Sequence, residues 1–341
     1  MKQRRRLSDL ALLVRAPAAL SVPGDVLAGA AAAGNPLTVR TFGIMGSSVC
    51  LYWAGMALND YADATIDAVE RPDRPVPSGR VPRRTALAVA GGLTAAGLGL
   101  AAVTGGRHSF FGASALAGAV WAYDLGLKAT PAGPAAMAGA RALDVLAGAL
   151  VASRGEKTGT ALLKGAVPAA LIGAHTYTLT ELSRHEVQGA SARLPAMTLA
   201  ASTATGLAAA APAVAAVLRR PGPALTGQGT RHTTSVSTPT AGADVPRPTP
   251  AHPQPADAGR TTALVTAGAA LAYLGTYGAS QLKAVRKPSG ENVRQAVGAG
   301  ILALMPLQAA LTARAGSPAA ATALGIAHPL ARRLARRISP T

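Results

Sequence analysis

Charged residues are absent from four long stretches of this chain: residues 85–104, 194–218, 261–282 and 295–313. A helix that crosses a bilayer needs about 20 predominantly apolar residues, and each of these runs is of that order. Shorter or less apolar stretches fall at 12–33, 41–58, 109–127, 134–152 and 160–180. The pattern predicts an all-α, multi-span transmembrane helical bundle of about nine helices. A soluble alanine-rich bundle is disfavoured, because charge-free runs of this length leave no polar face for water. Between the spans the pattern lapses once at length. Residues 219–260 are rich in Pro, Thr, Ser and Ala without periodicity and read as a disordered loop. The chain thus divides into a membrane domain at 1–218, this loop at 219–260, and last spans with a basic tail at 261–341. Residues 317–331 add either a tenth crossing or an interfacial amphipathic helix.

Composition sharpens this picture. Of 341 residues 49% are apolar and only 14% charged, against about 25% in a soluble domain. The apolar residues are mostly Ala and Gly, which let helices approach closely in lipid. The net charge of +18 would by itself suggest a polyanionic partner. The basic residues are scattered between the spans, however, and form no nucleic-acid-binding face. A single cysteine, Cys50, excludes a disulfide framework and a Cys-based zinc site. The basic N-terminus, Lys2 and Arg4 to Arg6, imitates a signal peptide, but Arg15 and Asp25 interrupt the apolar run behind it and more spans follow. The expectation is a multi-pass protein of the cell membrane with a cytoplasmic N-terminus. Arg71, Arg74, Arg80, Arg83 and Arg84 then lie on the cytoplasmic side, and the sparsely charged 105–108 turn lies opposite.

Acids are the scarce resource, and five of the fifteen fall within residues 60–73. Asp60, Asp63 and Asp67 follow the second span at i, i+3 and i+7, which on a continuous helix places them on one face with Asn59 beside them. Three carboxylates on one face repel each other unless a cation lies between them. Oxygen ligands without His or Cys suit a hard ion, Mg²⁺ above all. Arg71-Pro72-Asp73-Arg74-Pro75-Val76-Pro77-Ser78-Gly79 follows, and its prolines predict an extended loop carrying two guanidinium groups beside the carboxylates. Such groups grip diphosphate oxygens bidentately; the same arginines also satisfy the positive-inside rule.

Asn-Asp-x-x-Asp-x-x-x-Asp followed by Arg-Pro-x-Arg-Pro-x-Pro-Ser-Gly resembles the first aspartate-rich motif of the UbiA superfamily of intramembrane prenyltransferases. Arg15-Ala16-Pro17 is similar to the Arg-Pro-Pro of that family's first span. Tyr123-Asp124-Leu125-Gly126-Leu127-Lys128 is similar to its Tyr-(Asp/Ser)-x-x-x-Lys. In detail the chain looks most like an actinobacterial-type subgroup. The resemblance implies a bundle around a central cavity, with Mg²⁺-dependent transfer of a prenyl group from an allylic (poly)prenyl diphosphate to a small aromatic or lipophilic acceptor within the lipid bilayer. It places Asp60, Asp63, Asp67 and Lys128 in catalysis and Asp60, Asp63 and Asp67 on the metal. Asn59, Arg15, Arg71, Arg74, Tyr123 and Arg184 would bind substrate.

The second acidic motif departs from the family. Where Asp-x-x-Asp-x-x-Gly-Asp is expected, the chain reads Glu181-Leu182-Ser183-Arg184-His185-Glu186-Val187-Gln188-Gly189-Ala190. Glu186 takes the place of the second acid, with Glu181 nearby, and together they would complete a second metal site. Five residues on a regular helix set them about 140° apart, so sharing an ion needs a break in the helix. Inside the spans, Asp25, Arg141 and Asp144 are expensive unless paired or facing a cavity; Arg141 and Asp144, at i, i+3, could pair along their own helix. His175 reads as a hydrogen-bonded span residue. Two other functions stay open: a phosphoribosyl or other diphosphate-linked transferase acting on a polyprenyl phosphate, and a membrane transporter, whose acids would more often sit in broken helices at mid-membrane.

Overall fold

Prolines, capping hydroxyls and glycines set where the helices begin, bend and meet. In the computed structural model, residues 2–35, 37–151, 157–218 and 255–338 are described, and eleven α-helices account for nearly all of their regular structure. The helix α1 (Lys2–Leu13) leads into a 3-10 turn at Ala16–Ser21. The next helix, α2 (Pro23–Ala32), starts on a proline, whose missing N–H is no loss in a first turn. The expected span at 12–33 is therefore broken in two at Arg15 and Val22. Thr38 and Thr41 form a reciprocal capping box that opens α3 (Val39–Ala62). A short α4 (Ala64–Glu70) follows directly.

Spans expected at 85–104 and 109–127 appear as one long element, α5 (Arg83–Leu125). It bends at Gly106, whose φ of 74° and ψ of −166° lie outside the helical region and suit only a residue without a Cβ. After a 3-10 turn at Leu127–Ala129 come α6 (Gly133–Ala149) and α7 (Thr158–Ser183), then α8 (Arg193–Leu218), α9 (Pro255–Arg286), α10 (Gly290–Arg314) and α11 (Pro318–Ile338). Residues 219–254 of the expected loop lie outside the described residues. Its expected end at 260 is corrected: residues 255–260 already belong to α9. Ser289 caps α10 by accepting from the backbone N–H of Asn292.

Among the described residues, four helices are long and apolar enough to cross a bilayer: Val39–Ala62, Arg83–Leu125, Arg193–Ala215 and Gly290–Arg314. The protein is an all-helical membrane bundle. Of the prolines inside α7, α8, α10 and α11, Pro168 and Pro306 are buried, so neighbouring helices cover the disturbed backbone there, whereas Pro212 and Pro329 are exposed.

Packing follows the small residues. The helices α2 and α6 cross through Gly29 and Gly148: a Cβ on Gly29 would stand 1.8 Å from the Val145 carbonyl oxygen, and one on Gly148 2.1 Å from that of Val26. Only glycine permits that approach. The helix α3 lies along α5, and α6 packs against α2, α5 and α7. This half is built on Val26, Ile44, Leu51 and Leu116. The other half, α7 to α10, is built on Ile172, Tyr273, Tyr277, Leu307 and Leu311, with Val145 of α6 and Ala28 of α2 reaching into it.

Candidate active site

The acidic segment does not continue as one helix. The helix α3 ends at Ala62, Asp63 departs from helical geometry (φ −88°, ψ 6°), and α4 restarts at Ala64. The three aspartates therefore do not share one face, which corrects the expectation from a regular helix. Asp60 and Asp67, 2% and 3% exposed in their side chains, converge instead on one guanidinium. Arg74 Nη1 is 3.7 Å from Asp60 Oδ1 and 2.5 Å from Asp67 Oδ2. Asp63, set off by the break, meets Lys128 Nζ at 2.7 Å.

The proline-rich segment after α4 is a series of turns and not the extended loop expected of it. Backbone bonds from Arg74 to Arg71, Ser78 to Arg74 and Val81 to Pro75 coil it, and Ser78 Oγ donates to the Arg74 carbonyl at 2.6 Å. Val76 and Val81 are buried with Leu13 and Leu58 and pin the coil to α1 and α3. That anchoring turns Arg74 inward, while Arg71 stays more than half exposed with its Nη1 4.0 Å from Asp67. Arg15 reaches in from the break in the first span, its Nη2 3.4 Å from Asp60 Oδ1. Its φ of 46° is a left-handed conformation that costs a non-glycine residue strain.

All of these groups except Asp60 line a polar cavity of about 460 Å³. Asn59, Asp63, Asp67, Arg71, Arg74 and Lys128 line one part of it, and Ser183 and Glu186 another. Burial pushes the Glu186 carboxyl above its usual value, against the pull of Arg71 and Arg294. Glu181 does not join Glu186 in the lining; it faces Arg184 at 4.0 Å. The helix α7 ends at Ser183, but the turn that follows carries Glu186 alone to the cavity.

A second, mainly apolar chamber of about 270 Å³ adjoins the first, sharing Arg15, Asn59 and Tyr123 with it. Leu51, Met56, Leu116 and Val120 form its walls. Ser48, Tyr52, Arg141 and Asp144 also line it. Arg141 does not pair with Asp144 along α6 as the spacing suggested. Its Nε binds Asp25 of α2 at 2.9 Å, and Asp144 instead accepts from Ser48 Oγ of α3. Asp25 is completely buried and also accepts from Gln308 Nε2 of α10 at 2.6 Å. Helix crossing, not helix periodicity, chose these partners. His175 is hydrogen-bonded as expected, to the Tyr273 hydroxyl at 3.0 Å and the Gly300 carbonyl at 3.1 Å, and is buried.

Asp124 is a lining residue to which sequence reasoning gave no role, although it sits inside the Tyr123–Lys128 motif. Asn59 Nδ2 donates to its Oδ1 at 3.3 Å, tying the first acidic motif to the end of α5. Nothing in the local sequence pairs residues 65 positions apart.

Among the described residues, no three His, Cys, Asp or Glu side chains group closely enough to form a protein-only metal cage. Mg²⁺ commonly uses one or two carboxylates and completes its shell with water and phosphate oxygens. Asp63 and Asp67, which line one cavity with Glu70, Glu186 and four basic side chains, fit that requirement.

Comparison with known proteins concerns the family and the fold. The model of the UbiA prenyltransferase family matches residues 22–243. Digeranylgeranylglyceryl phosphate synthase of Methanopyrus kandleri is 52% identical over 60 residues, which is 18% of this chain and 21% of that protein. The Ignicoccus hospitalis protein of the same name is 43% identical over 91 residues, or 26% of this chain and 30% of its own. The chain thus matches only a fifth to a third of the length of these relatives. A UbiA homologue from Aeropyrum pernix K1, solved in its apo form, superposes with a TM-score of 0.55 over 83% of this chain and 94% of its own, at 19% identity. A structure from work on digeranylgeranylglyceryl phosphate synthase in membranes gives 0.55 over 91% and 98%, at 12% identity. Those two likenesses concern the fold.

Proposed function

The chain belongs to the UbiA prenyltransferase family, and from that premise we propose that it transfers a prenyl group from an allylic diphosphate to an acceptor inside the membrane. The observation that carries this reading is the union of two cavities of opposite character. A polar one holds Asp63, Asp67, Arg71, Arg74 and Lys128, and an apolar one opens from it past Arg15, Asn59 and Tyr123. An amphipathic donor with a dianionic head and a hydrocarbon tail needs that pair of environments.

Asp63 and Asp67, with Glu186 elsewhere on the cavity wall, would hold Mg²⁺ together with the diphosphate. The ion, when bound, supplies positive charge to the leaving group. The protein supplies the rest. Arg71 and Arg74 take the outer diphosphate oxygens, a role for which guanidinium geometry is suited. Lys128 exchanges its contact with Asp63 for a diphosphate oxygen and neutralises charge as the C–O bond breaks. Asp60, buried behind Arg74 and Arg15, orients both guanidiniums. Leu51, Met56, Leu116 and Val120 keep water from the allylic cation. Tyr123, at the junction, presents a ring to the cation.

The test is a labelled allylic diphosphate supplied to the full chain in lipid, with and without Mg²⁺. Metal-dependent release of diphosphate and movement of label into an extractable acceptor are the expected results. Equal turnover of phosphoribosyl diphosphate, or no release from any allylic donor, would overturn the reading.

A further inference from the structure

The helix α11 divides its residues by position along the axis. Residues 318–331 hold no Lys, Arg, Asp or Glu, and Arg332, Arg333, Arg336 and Arg337 crowd the last two turns. Its start is folded tightly back on α10. Gly316, at a φ of 90°, ends α10: its N–H bonds to the Ala313 carbonyl and the N–H of Ser317 to the Thr312 carbonyl, the paired bonds of a Schellman turn. Pro318 then opens α11. Ala321, 1% exposed, packs with Ala309 and Ala313 of α10, and Leu324 and two α9 residues, Val265 and Ala269, close around them. The helix also packs along the Ala16–Ser21 turn, which directly follows Arg15 of the polar cavity.

The course of α10 fixes the direction of α11. The polar cavity lies where α3, α5 and α7 end, since Asn59, Tyr123 and Ser183 line it. The helix α10 starts at that same end: the Ala190 N–H bonds to the Pro288 carbonyl, and Arg294 acts on the carboxyl of Glu186. It therefore leads away from the cavity, and α11, antiparallel to it, returns. At 1.5 Å per residue the 21 residues of α11 cover about 31 Å, close to the hydrocarbon thickness of a bilayer. The charge-free part alone covers about 21 Å. Arginines make up the difference, because their stems stay in hydrocarbon while the guanidiniums reach the headgroup layer. Ile326 and Leu330, 73% and 55% exposed, form an outer side suited to lipid. A helix lying flat on the membrane would instead carry polar residues along its whole length.

We propose that α11 is a full membrane crossing and that its basic end binds anionic phospholipid headgroups of the leaflet on the polar-cavity side. Four positive charges within six residues are matched by an anionic surface, which attracts each of them. The basic helix α1 stands at the same end of the bundle, where Asp9 accepts from Arg80 at 3.1 Å. Lys2 and Arg4 to Arg6 thus add to the charge facing that leaflet.

Both halves of the proposal are tested on the full chain carrying Cys50→Ala and one new cysteine at a time. Arg84→Cys marks the cavity end, His108→Cys the opposite end beyond the bend at Gly106, and Ile338→Cys the end of α11. Right-side-out and inverted membrane vesicles are treated with a membrane-impermeant maleimide. Labelling of Ile338→Cys in the same vesicles as Arg84→Cys is expected; labelling with His108→Cys would overturn the crossing. A bimane on Ile338→Cys then reports neighbouring lipid, through quenching by headgroup spin-labelled phosphatidylglycerol or phosphatidylcholine. Quenching should favour phosphatidylglycerol at least threefold in 0.1 M salt and approach parity in 1 M salt (~3-fold and ~1-fold). Replacing all four arginines by Gln should abolish the preference at an unchanged melting temperature, and replacing them by Lys should keep it. Equal quenching by the two lipids in the parent chain, or a preference that survives the four Gln substitutions, would overturn the headgroup site.

Discussion

Two clusters of charge lie in the same half of the bundle, and their ion pairs do opposite work. At the mouth, Asp60, Asp63 and Asp67 are held by Arg15, Arg74 and Lys128, and Arg71 stands more than half exposed above them. At the inner end, Asp25 is wholly buried, fixed by Arg141 of α6 and Gln308 of α10. The mouth cluster borders a polar cavity, so an anion or cation entering there can exchange for an existing partner at modest cost. Asp25 has no such route. A buried pair gains little over apolar packing, but breaking it strands a charge. Similar ionic groups are therefore open to exchange in one place and closed to it in the other.

Removing both cavity-lining aspartates would break that contrast most sharply. Asp63→Ala with Asp67→Ala should lower the rate of diphosphate release by about 10⁴-fold, since each preorganised group is worth roughly 10²–10³ in rate. The melting temperature should barely move; a large fall would mean that the mouth cluster is structural. Arg141→Met should do the reverse to stability, costing about 3 kcal/mol by stranding Asp25. Most of that loss should return in the double variant Asp25→Asn/Arg141→Met, measured by thermal unfolding in detergent. No recovery would show that Arg141 stabilises through something other than this pair.

Smaller effects separate the clusters further. Arg74→Lys keeps the charge but not the fork that reaches Asp60 and Asp67, and should cost about tenfold in activity, in line with the non-equivalence of the two side chains. Tyr273→Phe removes the hydroxyl bonded to His175 and should cost about 1 kcal/mol or less of stability, as interhelical bonds in membranes do, with activity unchanged. Glu186 gives the smallest effect. Its raised value means that the folded protein binds a proton more tightly than the unfolded chain. Its contribution to stability is thus fully present below the ordinary carboxylate range and is lost as pH rises through the raised value. Glu186→Gln should remove that pH dependence and slightly stabilise the metal-free protein at neutral pH. An unchanged stability profile would show that Glu186 is fully solvated.

Much of the mouth was legible in the sequence because its signals are local. Asn59 to Asp67 and Arg71 to Gly79 are contiguous, and no other part of the chain concentrates acids in this way. Their local geometry was less so. A helical period puts Asp60, Asp63 and Asp67 on one face, yet the chain breaks at Asp63 and turns it toward Lys128. The prolines suggested extension, but two buried valines draw the segment into turns. In the degenerate second motif, spacing left Glu181 and Glu186 as joint candidates; the turn after α7 separates them.

By itself, the sequence determined that this is a helical membrane protein with one acid-rich, arginine-flanked site, because charge-free runs and clustered carboxylates are read within a few turns of chain. Tertiary structure alone decided which charges pair. Arg141 has an acid one turn away at Asp144 and binds Asp25 of another helix instead. Gly29 and Gly148 let α2 and α6 come close enough for that contact, and Asn59 finds Asp124 because α3 lies along α5. Partner choice in a low-dielectric interior depends on distances of a few ångströms between helices far apart in sequence, and no periodicity within one helix encodes them.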